Sequence, residues 1–105
     1  MRGIREMQSL AIHRMIASRM LDDPDAVLGK ALSNLMRWME NRNDPEVPAV
    51  MKEWESMLKN RSYGEIASFI VSDSEQADRM RQSSPFAGVP APKEVWAIKR
   101  NHEAA

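Results

Sequence analysis

Apolar residues return every three or four positions along most of this chain, the spacing that gathers them on one face of a helix. In the first segment they are Ile4, Met7, Leu10, Ala11, Met15, Ile16 and Met20, predicting a helix over Ile4 to Leu21. In the second they are Val27, Leu28, Ala31, Leu32, Leu35, Met36 and Met39, with Trp38 off the centre of the stripe. This helix should end near Asn41. In the third they are Val47, Val50, Met51, Trp54, Met57 and Leu58, ending near Asn60. A shorter fourth segment carries Ile66, Ala67, Phe69 and Ile70. Ile66 to Val71 has the composition of a buried strand, but a lone strand would have nothing to pair with, so helix is preferred. A fifth helix should run from Asp73 to about Gln82 on Ala77 and Met80, and a sixth should follow Pro92 with Val95, Trp96 and Ile98.

Polar residues between these segments carry start and stop signals. Asp23 can cap the second helix, Pro24 suits its first turn, and Asp25 complements its dipole. Residues 22–25 could suggest calcium, but they lack the glycine and terminal glutamate of a calcium loop. Asp44 and Pro45 repeat the device, with Pro48 still in the first turn. Ser62 to Glu65 spells a capping box, as does Asp73 with Gln76. Ser83, Ser84 and Pro85 close the fifth helix, because a residue before proline leaves the α region.

The resulting expectation is an all-α fold, a compact bundle of about five to six helices, the last two joined by a Pro/Gly loop. One helical domain should span 1–105: a four-helix part over 1–72, a helix-loop-helix over 73–100 and a frayed end over 101–105. A chain of 105 residues can bury roughly two-thirds of its unfolded surface, enough for one core. Nine methionines against six aromatic residues suggest an adaptable core. There is no cysteine, which fits a cytoplasmic protein and excludes disulfides and cysteine zinc sites. No apolar run approaches the roughly 18 residues of a membrane span. The N-terminal segment is broken by His13, Arg14 and Arg19 and is no secretory signal.

Fifteen basic and fifteen acidic side chains cancel, so overall attraction to nucleic acid or acidic membrane is not expected. Locally, Arg2, Arg5, Arg14 and Arg19 outweigh Glu6, as a solvated face or a short strip for an acidic partner. Catalytic chemistry is hard to assemble. His13 and His102 lie on different helices, and Gly3, Gly29, Gly64 and Gly88 form no phosphate-cradling loop. His13 reads as a packed or half-exposed histidine, with no neighbour at metal-ligand spacing. No catalytic residue, metal or cofactor is therefore expected. Ser83 to Pro90 is too long and too apolar for the turn of a helix-turn-helix, so direct nucleic-acid binding is disfavoured.

The loop Phe86-Ala87-Gly88-Val89, held between Pro85 and Pro90, is unusual because loops normally stay polar. In one reading Phe86 and Trp96 pack together into the core, as large apolar residues usually do. In the other, Phe86 is a surface anchor with Arg79 and Arg81 as its charged rim.

The run Arg79-Met80-Arg81-Gln82-Ser83-Ser84-Pro85-Phe86-Ala87-Gly88-Val89, followed by Glu94-Val95-Trp96, resembles the C-terminal part of small bacterial proteins of antitoxin or regulator type. Many of those carry a helix-turn-helix domain in front of a helical domain ending in such a motif. The Leu10-Ala11-Ile12-His13-Arg14 run, Trp38 and Trp54 fit the same helical part. This sequence starts directly at that part, without the DNA-reading domain. The resemblance implies a non-enzymatic module that binds a partner protein, such as a toxin it neutralises. The partner site it points to comprises Arg79, Arg81, Ser83, Ser84, Pro85, Phe86, Gly88 and Trp96. A nucleic-acid-associated transcriptional regulator and a structural oligomerisation domain are the alternatives. Self-association into a homo-oligomer is compatible with the same features.

Overall fold

Local capping chemistry sets most helix starts. The computed structural model describes residues 3–40 and 49–103, without the side chains of His102 and Glu103. Six helices and no strand form among the described residues: α1 (Ile4–Asp22), α2 (Pro24–Glu40), α3 (Ala49–Asn60), α4 (Tyr63–Ile70), α5 (Glu75–Arg81) and α6 (Pro92–Glu103). The fold is an all-α bundle, and the segment from Ile66 to Ile70 is helical rather than extended, with Val71 as its C-cap. Asp23 Oδ1 accepts from the Ala26 amide at 3.3 Å, starting α2. Ser62 and Glu65 form the full capping box at the head of α4. The cap expected of Asp44, the Pro45 start and Val47 lie outside the described residues.

Two boundaries differ from the sequence expectation. The cap of α5 is Ser74, whose Oγ accepts from the Ala77 amide at 3.1 Å, and not Asp73. Both residue types cap well, and starting at Ser74 places Glu75 and Asp78 in the first turn, where carboxylates complement the helix dipole. The helix α6 continues through Glu103 instead of ending near Arg100.

α1 is the central element, packing against α2, α4, α5 and α6. One buried cluster joins Ile16 and Met20 of α1, Leu35 of α2, Trp54 of α3, Ile66 and Ile70 of α4, Met80 of α5, and Phe86. Each such side chain contributes about 1.5–3 kcal/mol when removed from water. The helix-loop-helix over 73–100 therefore shares the core of the first four helices, because Met80 and Phe86 lie inside it. The apolar stripes are narrower than the periodicity suggests: Ile4, Met7 and Met36 are exposed, and Trp38 is partly buried at the edge of the core. No helix among the described residues is long and apolar enough to cross a membrane.

Candidate functional site

The end of α5 and the loop after it are fixed by the loop's own turn and by three other helices, α1, α2 and α3. Its turn closes with the Val89 amide donating to the Phe86 carbonyl at 3.2 Å. Gly88 is the third residue of that turn and has φ of +87°, the positive value that a type II turn requires there. From α2, the Asn34 amide nitrogen donates to the carbonyls of Pro85 and Ala87, each at 2.9 Å. From α3, Trp54 Nε1 donates to the Met80 carbonyl at 3.1 Å. From α1, Arg19 donates to the Val89 carbonyl at 2.8 Å and pairs with Glu94 of α6.

His13 provides another hold on the loop. Its Nδ1 lies 2.7 Å from the Ser9 carbonyl, which can only accept, so Nδ1 carries the proton. Nε2 then accepts from Ser84 Oγ at 2.8 Å. Burial lowers the His13 pKa to about 4, against the opposing pull of the Ser9 carbonyl, and the nearby Arg81 charge lowers it further. The ring is thus a neutral structural link. Ser84 Oγ also accepts from the Phe86 amide at 3.3 Å.

These contacts place the sequence-predicted residues differently from a surface knob. Phe86 is buried, with its ring edge-on to Trp54 at 5.7 Å and to His13 at 6.2 Å. Pro85 is also fully buried. Arg81 is not a charged rim: its guanidinium is buried and donates to the carbonyls of Ile70 and Ser72, at 3.0 and 2.9 Å, and to Asp78. It closes the C-terminal end of α4, where carbonyls lack helical partners. Arg79 is exposed, but both of its terminal nitrogens bond the Glu53 carboxylate, at 3.0 and 3.1 Å. Ser83 and Gly88 are exposed beside the loop.

Trp96 does not pack on Phe86. It is 66 % exposed on α6, because that helix turns Glu94 toward Arg19 of α1 and leaves the position of Trp96 outward. The start of α6 is firmly set. Pro92 occupies its first turn, and Glu94 Oε1 accepts from the Ala91 amide at 2.8 Å. Further along, Gln8 of α1 donates to the Lys99 carbonyl at 3.1 Å. Lys93, Lys99 and Arg100 fall within one helical face around Trp96, since positions three and four apart are neighbours on a helix. All three are exposed, and among the described residues none of them forms an ion pair.

Asn34 matters most among the residues that sequence reasoning passed over, and Arg19, read there only as part of a basic strip, ties the loop and α6 to α1. Asn34 sits within an apolar stripe, a polar interruption that could have marked a buried hydrogen-bonding position. Its substitution by Ala leaves the carbonyls of Pro85 and Ala87 without their donor, an expected loss of about 2 kcal/mol. Urea melts of Asn34→Ala beside the wild type measure this; equal midpoints would remove α2 from the account of the loop. No family model, no curated protein and no solved structure matches the chain.

Proposed function

We propose that this chain is a non-enzymatic protein-interaction module of antitoxin or regulatory type, and that it binds its partner protein through the outer face of α6. The supporting observation is Trp96, a large aromatic left 66 % exposed on a helix whose start is tied to α1. Trp and Arg are the side chains that most often dominate protein interfaces. Here Trp96 stands beside Lys93, Lys99 and Arg100. The run from Arg79 to Val89, which carries the resemblance to antitoxin-type proteins, acts in this reading as the scaffold that sets the angle of α6. Its partner-binding role is indirect, and the contact residue within the predicted set is Trp96.

The test uses the product of the adjoining gene as the candidate partner, titrated calorimetrically against the full chain. Trp96→Ala should weaken the complex by about 2 kcal/mol, roughly 30-fold, with the melting temperature unchanged. A complex that forms equally well with Trp96→Ala would defeat the assignment of α6.

A further inference from the structure

Resting on the reading of α6 as the partner face, we infer that its occupant is an acidic amphipathic helix with carboxylates two turns apart on either side of an apolar ridge. Lys93 and Arg100 are separated by two turns of α6, about 10.5 Å along its axis. Trp96 lies between them, and Lys99 flanks it one turn further on. The acidic residue nearest Lys93 and Trp96 in sequence is already committed elsewhere: Glu94 binds Arg19 and the Ala91 amide. Any segment that covers the indole must therefore come close to cations that, among the described residues, have no carboxylate of their own. An apolar cover would desolvate those charges without pairing them, which is costly. Carboxylates at matching two-turn spacing would pair Lys93 and Arg100 while apolar residues between them seat on Trp96.

Other occupants fit less well. A second copy of α6 would set cations against cations. A single-stranded nucleic acid would gain only one stacking position from a lone indole, whereas such sites combine a basic groove with aromatics for successive bases. The chain also carries no net charge, so the long-range phosphate attraction that supports such binding is weak.

The experiment titrates three labelled probes into the full chain and follows fluorescence anisotropy. One is an amphipathic peptide of Leu, Ala and Glu with glutamates seven positions apart beside its apolar ridge. The second is the same peptide with Lys in place of Glu, and the third is oligothymidylate. The glutamate peptide should bind, and its affinity should fall with added salt. Trp96→Ala should weaken it at least tenfold. The double variant Lys93→Glu with Arg100→Glu should lose it and take the lysine peptide instead, with an unchanged melting curve because both positions are exposed. No binding of the glutamate peptide, or a preference of the wild type for the lysine peptide or for oligothymidylate, would overturn the inference. The partner titration separates the two levels. A complex broken by Trp96→Ala but indifferent to the charge reversals keeps α6 as the partner face and rejects the acidic helix.

Discussion

Phe86→Ala should lower the folding stability by about 3–5 kcal/mol, the cost of removing a buried ring and leaving a cavity. The ring is buried against Trp54 and His13, and the turn that carries it is fastened by Asn34 and Ser84, so the site cannot collapse freely. For a chain of this size the loss corresponds to a fall in melting temperature of more than about 10 °C. Thermal melts followed by far-ultraviolet circular dichroism test it directly. Partner affinity should hold wherever the variant remains folded, the reverse of the behaviour expected of Trp96→Ala. A Phe86→Ala protein as stable as wild type would mean that the ring is not part of the core.

Acid should act on the fold through His13. Its pKa is about 4 in the folded protein against an ordinary value of 6.5, because burial disfavours the charged ring. A group whose pKa is depressed on folding binds more protons when unfolded. The stability tied to the neutral ring is therefore complete above pH 6.5 and is lost as pH falls toward 4, by about 3 kcal/mol in all. Protonation would also place a donor on Nε2, where Ser84 now donates, and a second positive charge near Arg81. Carboxylates add their own acid dependence, so the measurement is a comparison. Urea melts from pH 7 to pH 4 should show a steeper loss for the wild type than for His13→Gln, which does not titrate. Parallel losses in the two proteins would rule out His13 as the cause.

Helix positions were legible where the controlling contact is local. Asp23 reaches an amide three residues on, as Ser62 does, and such spacing is visible in a string of letters. The burial of Phe86 was legible in outline, since a large ring between prolines in a short connection has few solvated places to go. Its neighbours were not. Asn34 and the loop carbonyls it serves are 51 and 53 residues apart, and His13 and Ser84 are 71 apart. No periodicity reports such pairs. Arg81 looked like a surface charge because arginine usually is one; only the unpaired carbonyls at the end of α4 explain its burial. Trp96 misled for a geometric reason. Val95 and Trp96 point about 100° apart on a helix, so a short apolar cluster cannot all face inward.

The shared core has a bearing on how the protein is made. A ribosome releases the chain from its N-terminus, and Phe86 is the last residue of the buried cluster to be added. Until it emerges, Trp54 has no edge-on partner from the loop, and Asn34 has no carbonyls to serve. The first four helices therefore wait with an open flank from the completion of α4 at Ile70 until Phe86 follows 16 residues later. The core closes only when Phe86 arrives, and α6, which follows it, then takes its place on α1.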